Sequence, residues 1–316
     1  MLSVVMATRN GSRWIASCLQ AFCALEAPPG GYQLIIIDNG SSDGTADIIR
    51  AFQDRLPMLA LYCATPGRNR ALKMALQHIA GDLVVITDDD VLPAPDWLKA
   101  FHGAASRMPE IGVFAGQVRH HWQRKPPRWL LDLAAQGRAY AGTPIDQPDG
   151  PIDASQVKGP NFMVRRALLD RFQFDEGIGP DGTRNYAAGS ETSLLLAMEK
   201  AGIGFHFVSG ALVQHIVRPN QISLRAMIAR YFRIGRGVQR MGLKDSVNPQ
   251  AKKLFGYPRY ALRRIVELLV KAGLCWARRD TTAAAGKLIS GAALAGAAYE
   301  SRRQKPSRET PKARPC

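Results

Sequence analysis

The sequence of 316 residues predicts an α/β fold: a mostly parallel sheet with helices on both faces, followed by a C-terminal helical extension. Over residues 2–90, short β-rich runs alternate with helical patterns, as in parallel sheets covered by helices. From Ser223 onward, apolar residues instead recur at helical spacing. We therefore expect a sheet domain over residues 1–220, a basic amphipathic helical extension over 221–300 and a disordered tail over 301–316.

The predicted elements follow one another regularly in the first hundred residues. Strands are expected at Leu2–Ala7, Gln33–Ile37, Met58–Cys63 and Asp82–Thr87. Helices are expected at Ser12–Leu25, from Asp43, at Arg68–Ile79 and after Pro95. Residues 120–155, rich in Pro, Gly and Trp, predict a long loop system. The later elements are a strand at Val157–Val164, a helix at Gly189–Ala201, one or two short strands within Phe205–Val213, and amphipathic helices over 224–238 and 262–276.

The net charge of +16 is confined to the last third of the chain. Residues 1–220 contain 21 basic and 21 acidic side chains, whereas 221–316 contain 21 basic and 5 acidic ones. Basic amphipathic helices with Trp and Leu are suited to an anionic membrane surface. Alternatively, these helices pack on the sheet domain and their Arg side chains are solvated. A nucleic-acid-binding protein is a further alternative; without zinc-finger, RNP-type or helix-turn-helix patterns, we expect no nucleic-acid partner.

The cysteines and the N-terminal sequence indicate in which cellular compartment the protein is expected. The five cysteines are odd in number and have no CxxC spacing, which argues against a zinc site or a disulfide framework. The segment MLSVVMATRN does not read as a signal peptide, and no stretch approaches the ~20 apolar residues of a membrane span. We expect a cytoplasmic protein, soluble or peripheral at the inner face of a membrane.

Polar side chains follow three of the predicted parallel strands. They are Thr8, Arg9, Asn10, Asp38, Asp88, Asp89 and Asp90. Ligands of open α/β sheets bind at this edge. The Asp38 carboxylate is suited to accept hydrogen bonds from a base or a ribose hydroxyl. Alternatively, Asp38 and Asp43 only cap the following helix.

The three consecutive aspartates point to a cation. Their like charges raise the cost of ionisation unless a cation or basic group lies nearby. Mg²⁺ or Mn²⁺ takes carboxylate oxygens together with substrate phosphates. The alternative is an exposed acidic turn.

Seven segments, in their order and spacing, resemble family-2 glycosyltransferases of the GT-A fold. They are SVVMATRN, IIIDNGSSDGT, GRNRALKMAL, GDLVVITDDDV, KGPNFMVRRALL, GSETSLL and LVQHIV, and the resemblance covers roughly residues 2–240. It implies a Rossmann-like nucleotide-binding sheet and an inverting, metal-dependent enzyme. Such an enzyme moves a sugar from a nucleoside-diphosphate sugar to the hydroxyl of a saccharide or lipid-linked acceptor, here in cell-surface polysaccharide or glycolipid synthesis.

The resemblance also implies roles for individual residues. The expected donor-binding residues are Thr8, Arg9, Asn10, Asp38, Asp43, Arg68, Asp88, Asp89 and Asn161. Among them, Asp88 is expected towards the ribose and Asn161 in the block that lines the acceptor side. Asp90 and His215 are expected to hold Mn²⁺ or Mg²⁺; without the resemblance, His215 would read as a partly buried imidazole.

The GSETSLL segment departs from the family pattern. Many relatives read Gly-Glu-Asp-Thr-Glu, with the central Asp as general base, whereas this chain has Ser190, Glu191 and Ser193. Glu191 retains the carboxylate that a general base needs. The alternatives are a Glu stabilised by a helix N-terminus and a catalytically impaired GT-A-fold binding protein. A sugar-nucleotide pyrophosphorylase would need a Gly-rich loop with Arg and Lys after the first strand, where this chain has MATRNGSRW.

Overall fold

A nine-stranded sheet covered by helices forms the first of two structural units, residues 1–184 and 189–222. The computed structural model describes residues 1–303 of the chain. The strands of the sheet are β1 (Leu2–Thr8), β2 (Tyr32–Asp38), β3 (Met58–Tyr62), β4 (Leu83–Asp88), β5 (Val91–Pro93), β6 (Ile111–Trp122), β7 (Gly150–Pro151), β8 (Asn161–Arg165) and β9 (Gly204–Val217). The helices of this unit are α1 (Ile15–Phe22), α2 (Thr45–Ala51), α3 (Arg68–Leu76), α4 (Trp97–Arg107), α5 (Arg128–Ala135), α6 (Arg166–Arg171) and α7 (Ser190–Lys200).

The parallel half of the sheet has the strand order β3-β2-β1-β4. Strands β1, β2 and β4 are mostly apolar runs because both of their faces are buried, whereas β3 lies at the edge and is partly exposed. Val4 and Val5 are fully buried and belong to separate core clusters. One cluster includes Leu19 of α1 and the other Leu72 of α3. The predicted α/β class, with helices on both faces, is confirmed.

The other half of the sheet is mixed. Strand β8 is antiparallel to β4 and β6, and β6 is parallel to β9. Strand β5 is antiparallel to β9, and its register places Val91 opposite His215. The acidic turn between β4 and β5 therefore lies beside the end of β9.

The prediction of a loop system over residues 120–155 is wrong in part. Strand β6 continues to Trp122, and α5 occupies Arg128–Ala135. Gly112 and Gly116 interrupt the apolar pattern of β6, and they are glycines because added Cβ atoms would overlap Ile203 and Asn161. Helix α5 has only eight residues and follows Pro127. An apolar pattern of that length is hard to recognise among the surrounding Pro and Gly residues.

Two later strands also differ from their predicted bounds. Strand β8 begins at Asn161 rather than Val157, since Gly159 and Pro160 form the turn before it. Strand β9 is one strand of 14 residues rather than one or two short ones. Its polar residues made it look shorter, but it pairs along its length with β6.

The second unit comprises residues 185–188 and the chain from Ser223 onward. Its elements are α8 (Leu224–Arg240), β10 (Lys253–Leu254), β11 (Tyr257–Pro258), α9 (Arg259–Ala277) and α10 (Thr281–Arg303). Ser223 caps α8, its hydroxyl oxygen accepting a hydrogen bond from the Ala226 amide at 3.2 Å. Within residues 1–303, no helix combines the length and the apolar character needed to cross a membrane.

Helix α10 packs closely against α8 and α9. A Cβ atom added to Gly235 would overlap the Ala293 carbonyl, and one added to Gly296 would overlap that of Phe232. Residues 286–298 of α10, which are rich in Ala and Gly, thus pack against helices of their own chain. Helix α10 extends to Arg303, so the prediction of disorder from residue 301 is wrong for its first three residues. The rest of that predicted tail, 304–316, lies outside the described residues.

Candidate active site

The candidate site lies where the parallel strands end. Thr8, the last residue of β1, stands opposite Asp38 of β2, and Ala7 stands opposite Asp88 of β4. Parallel pairing thus carries the polar residues that follow these strands to one edge of the sheet. The fold confirms the sequence argument that placed them together.

Asp88, Asp90 and His215 form the densest group of ligating atoms at this edge. One ligand atom from each residue lies within 4.8 Å of the other two. The Ile216 amide donates to the Asp90 carbonyl oxygen at 2.8 Å, which fixes the turn against β9. His215 Nε2 lies 3.3 Å from Asp90 Oδ1. Nδ1 of His215 is buried without a hydrogen-bond partner among the described residues. Two carboxylates and an imidazole whose Nε2 faces one of them suit a divalent ion such as Mn²⁺.

The aspartates of this turn differ in charge state. Burial opposes ionisation of Asp90, but His215 and Arg218 outweigh it and lower the pKa of Asp90 to about 2. Burial and the neighbouring Asp90 raise the pKa of Asp89 to about 7, although the Thr8 hydroxyl donates to its carboxylate. The pKa values of these two neighbouring carboxyl groups are thus shifted in opposite directions.

Asp89 occupies a different position from its two neighbours. It accepts a hydrogen bond from Thr8, and a Cβ atom added to Gly11 would overlap its carboxylate. The structure therefore brings Asp88 and Asp90 together with His215, and it places Asp89 against the loop that follows β1.

Arg68 links the acidic turn to Glu191. Its guanidinium lies 2.5 Å from Asp88 Oδ1 and forms a second ion pair with Glu191. All three side chains are largely buried, with 13%, 28% and 15% of their surfaces exposed for Arg68, Asp88 and Glu191. Arg68 is the first residue of α3, so the start of that helix sets its position.

Glu191 lies in the first turn of α7, which begins after Gly189 in a left-handed conformation. The N-terminus of a helix stabilises a carboxylate there. A Cβ atom added to Gly159 would lie 2.9 Å from the Glu191 carboxyl carbon, so Gly159 makes room for this side chain. Ser190, which stands where many relatives have Glu, is buried against Gly179.

The residues expected to bind the nucleotide surround the loops after β1 and β2. Asn10 Oδ1 accepts a hydrogen bond from the backbone amide of Ser42 at 2.8 Å. The backbone amide of Asn10 donates to the hydroxyl oxygen of Ser41 at 2.9 Å. Asp38 accepts from the Ser41 amide at 2.9 Å through Oδ1. These bonds tie the two loops together. Arg9 reaches Gly182, where an added Cβ atom would overlap its guanidinium.

The carboxylate of Asp43 bonds to two backbone amides, although Gly44 rather than Asp43 is the N-cap residue of α2. It accepts hydrogen bonds from the Thr45 amide at 3.0 Å and from the Ser12 amide at 3.2 Å. Burial slightly opposes its ionisation, but these bonds and the Thr45 hydroxyl lower the pKa of Asp43 to about 2. Its carboxylate fastens the start of α2 to the loop after β1.

The placement of Asn161 contradicts the expectation that it lines the acceptor side. Its side chain is fully buried. Oδ1 accepts from the indole of Trp97 at 2.8 Å, and Nδ2 donates to the carbonyls of Gln117 at 2.8 Å and Ala211 at 2.7 Å. Because these bonds occupy both ends of the amide, Asn161 joins α4, β6 and the bend in β9 and is not placed to bind a ligand.

Arg218 is a residue of the site that the sequence reasoning missed. Its Nη2 donates to Asp90 Oδ2 at 2.7 Å, and its guanidinium lies 5.5 Å from the centre of the Trp14 ring. Its Nε is buried and has no hydrogen-bond partner within the described chain. Its position could have indicated a role, because Arg218 directly follows β9 at the edge of the sheet where the site lies. The predicted strand ended five residues earlier, at Val213.

The sheet and its acidic edge are those of the GT-A fold, in which nucleotide-sugar-dependent transferases are built. The chain belongs to glycosyl transferase family 2, whose family model matches residues 3–172. The prediction from the seven segments is therefore confirmed. The alternatives of a nucleic-acid-binding protein and of a sugar-nucleotide pyrophosphorylase are not favoured.

Individual proteins resemble this chain over most of its length. The succinoglycan biosynthesis protein ExoM of Rhizobium meliloti is 26% identical over 227 residues, 70% of this chain and 69% of that protein. The mannosyltransferase PcManGT from Pyrobaculum calidifontis, solved with GDP-Man and Mn²⁺, has a TM-score of 0.58 at 21% identity, covering 93% and 86% of the two chains. TarS 1–349 of S. aureus, solved with UDP-GlcNAc, has a TM-score of 0.55 at 13% identity, covering 94% and 91%.

Proposed function

We propose that this glycosyltransferase is metal-dependent and inverting, and that it uses a nucleoside-diphosphate sugar. The observation that carries the proposal is the group of Asp88, Asp90 and His215, whose ligand atoms lie within 4.8 Å of one another. Arg68 connects this group to a carboxylate, Glu191, on a different element. A candidate cation site and a candidate base at one edge of the sheet support a transfer from a diphosphate donor.

Asp90 and His215, with Asp88 beside them, would hold Mn²⁺ or Mg²⁺. When bound, such an ion neutralises the charge that develops on the departing diphosphate. Asp90 is suited to this role because Arg218, which donates to Oδ2 at 2.7 Å, stabilises the ionised carboxylate against the effect of burial. Arg218 and Arg68 supply fixed positive charge at the same edge, where an anionic donor would otherwise meet the carboxylates of Asp88 and Asp90.

Glu191 is the proposed general base. It takes the proton from the acceptor hydroxyl as the new bond from that oxygen to the anomeric carbon forms. The bond from the anomeric carbon to the diphosphate breaks on the opposite face, so the configuration inverts and a nucleoside diphosphate leaves. Arg68 stabilises the ionised form of Glu191, which is the form that accepts a proton. No covalent bond to the protein is needed.

Thr8, Arg9, Asn10 and Asp38 are the proposed contacts for the nucleoside. Ser41 and Ser42 hold Asn10 and Asp38 in place by hydrogen bonds of 2.8–2.9 Å. The proposed acceptor is a saccharide or a lipid-linked saccharide of a surface polysaccharide or glycolipid. The likeness to a succinoglycan biosynthesis protein supports this class. We further propose that the enzyme works in the cytoplasm, attached to the inner face of the membrane.

A thermal-shift screen of UDP-, GDP- and dTDP-sugars, with and without Mn²⁺, tests donor use. We expect one donor class to raise the melting temperature, with most of the rise requiring Mn²⁺. Chelation by EDTA should remove that rise. The absence of a response to every donor, in the presence of Mn²⁺, would contradict the proposed function.

A further inference from the structure

Helix α9 has two apolar faces, and the described residues of its unit, up to Arg303, cover one of them. Ala261, Leu268 and Ala272 are buried, and α10 packs on this helix. The other face carries apolar residues at helical spacing, which we call the α9 stripe: Val266, Leu269, Val270, Gly273 and Leu274. The four larger side chains of the stripe are 53–58% exposed. Contiguous exposed apolar surface of this kind marks an interaction site, whereas isolated exposed residues do not.

Positive charge surrounds the stripe. Arg264, Lys271 and Arg278 recur every seven residues and form a row beside it. Between Arg259 and Arg279 there are six basic side chains, all exposed, and one acidic one, Glu267. Glu267 is already paired with Arg263 at 3.2 Å and with Arg264 at 2.9 Å. The surface beside the stripe is therefore strongly cationic.

A second observation comes from the hairpin that precedes α9. Strands β10 and β11 are joined by Phe255 and Gly256, which have φ angles of 52° and 80°. This turn favours Asn-Gly or Gly-Gly, and a bulky residue is strained in the left-handed region. Phe255 is also 83% exposed, so it gains no burial in return for that strain. Lys252 and Lys253, both exposed, precede it. An exposed aromatic residue held in a strained turn indicates a contact outside the chain.

These features together fit an anionic lipid surface. Apolar side chains enter the boundary between headgroups and acyl chains, and flanking Lys and Arg side chains bind the anionic headgroups. Trp276, 62% exposed near the end of the stripe, is of the type that prefers this boundary. A second copy of the chain fits less well, because two strongly basic surfaces would face each other across a symmetric interface.

We propose that the α9 stripe and Phe255 form a membrane-docking surface for a bilayer that contains anionic lipid, with α9 lying in the plane of the interface. This surface would be the part of the protein that makes the membrane attachment proposed above. It rests on the proposed function in one respect, namely that the membrane is contacted from its inner face. It does not depend on the sugar transferred. The stripe supplies the apolar contact, and the row from Arg264 to Arg278 supplies the selection for anionic lipid.

Vesicle flotation of the full chain tests this surface. We expect the protein to float with phosphatidylcholine vesicles that contain phosphatidylglycerol, to remain unbound with phosphatidylcholine alone, and to be released by high salt. Val266→Gln/Leu269→Gln should weaken partitioning about tenfold or more through lost apolar contact. Phe255→Ser and Lys271→Gln/Arg278→Gln should each weaken it separately.

Matched controls lie in the other unit. Ile145 is 65% exposed, so Ile145→Gln removes one exposed apolar side chain outside the stripe, and Arg124→Gln/Lys125→Gln removes two exposed charges. Both should bind vesicles like the wild type. Circular dichroism and the donor-induced thermal shift, measured on the same samples, should be unchanged in every variant.

Several results would overturn the docking surface. One is equal binding to neutral and anionic vesicles; another is unchanged binding in Val266→Gln/Leu269→Gln and Phe255→Ser. If the wild type forms a dimer and these variants do not, the stripe is instead a contact with a second copy of the chain. Salt-sensitive binding to duplex DNA without vesicle binding would assign the charge to nucleic acid. If flotation fails while the donor still raises the melting temperature, the docking surface is wrong and the proposed function stands.

Discussion

Arg68 is ion-paired with Glu191, although 123 residues separate them in the chain. The same guanidinium reaches Asp88 at 2.5 Å, so one cation joins the proposed base to the proposed cation site. The start of α3, the end of β4 and the start of α7 meet at this contact. The negative charges of Asp88 and Glu191 are therefore both balanced by the guanidinium of Arg68.

Replacing Arg68 should therefore weaken donor binding. Arg68→Gln leaves the carboxylates of Asp88 and Glu191 without their shared cation, next to an anionic diphosphate. We expect donor affinity to fall about 30-fold, in line with the removal of one partner from a buried charge pair. Arg68→Lys should lose less, because an ammonium keeps the charge but not the fork that bridges two carboxylates. Isothermal titration calorimetry with the donor and Mn²⁺ measures both.

The control for Arg68 lies two residues further along α3. Arg70 pairs with Glu176 at the surface, at 2.9 Å, so Arg70→Gln removes the same charge from the same helix. Its donor affinity should match that of the wild type. Equal losses in Arg68→Gln and Arg70→Gln would show that the ion pairs of Arg68 have no special role.

Asp90 should decide whether the site binds a metal ion. We expect Asp90→Asn to abolish the Mn²⁺-dependent part of the donor-induced thermal shift, because it removes a carboxylate whose pKa is lowered in spite of burial. Electron paramagnetic resonance of free Mn²⁺ gives binding directly, without any turnover. Asp82→Asn, an exposed aspartate just before β4, is the matched control. Mn²⁺ binding equal to wild type in Asp90→Asn would place the ion elsewhere.

Arg218 should affect the metal ion and the donor in opposite directions. Its guanidinium occupies Asp90 Oδ2 at 2.7 Å. In Arg218→Gln we expect Mn²⁺ alone to bind more tightly, since a competing cation is gone. The nucleoside diphosphate with Mn²⁺ should bind about tenfold more weakly, because a charge-assisted contact to an anion is lost. Mn²⁺ titrations with and without the nucleotide separate the effects, and changes of the same sign in both would refute this role.

Glu300 should control the stability of the helical unit. Its carboxylate, 5% exposed, accepts from Arg236 at 2.7 Å and from Arg240 at 2.6 Å. Glu300→Gln leaves Arg236 buried without a counter-charge, and we expect the free energy of unfolding at pH 7 to fall by about 3 kcal/mol. Urea denaturation measures it. Arg263 pairs with Glu267 at the surface, so Arg263→Gln should leave the free energy of unfolding nearly unchanged.

The contribution of Glu300 should depend on pH. Burial opposes its ionisation, but Arg240 and Arg236 outweigh it and lower the pKa of Glu300 below its ordinary 4.5. A carboxyl group with a lowered folded-state pKa stabilises the fold above its unfolded-state pKa and loses that effect as pH falls. The difference between wild type and Glu300→Gln should therefore be constant from pH 7 to about 5 and shrink below about 4.5. A difference that grows on acidification would contradict the ion pair.

The sequence predicted the parallel half of the sheet and the acidic edge because both depend on local patterns. Apolar runs mark β1, β2 and β4, and the polar residues after them meet whenever such strands are parallel. The register of β5 against β9, which places Asp90 beside His215, is not local. That pairing had to come from the family resemblance.

The errors have physical causes in long-range contacts. Asn161 looked functional because it is polar and sits in a family segment, but the contacts that use its amide come from residues 97, 117 and 211. Strand β6 was not predicted because its glycines interrupt the apolar pattern. They leave room for side chains that are distant in the sequence, which no local pattern shows. Arg218 was missed because the length of β9 is set by pairing with β6, which no local pattern reveals.

Glu191 provides the most direct test of the catalytic proposal. The measurement is the release of nucleoside diphosphate from the donor identified by thermal shift, compared between wild type and Glu191→Gln, with donor affinity measured in parallel. We expect donor affinity to remain within a few-fold and turnover to fall at least about 100-fold, as expected for loss of a general base. Undiminished turnover in Glu191→Gln, with donor still bound, would contradict the assignment of Glu191 as the base.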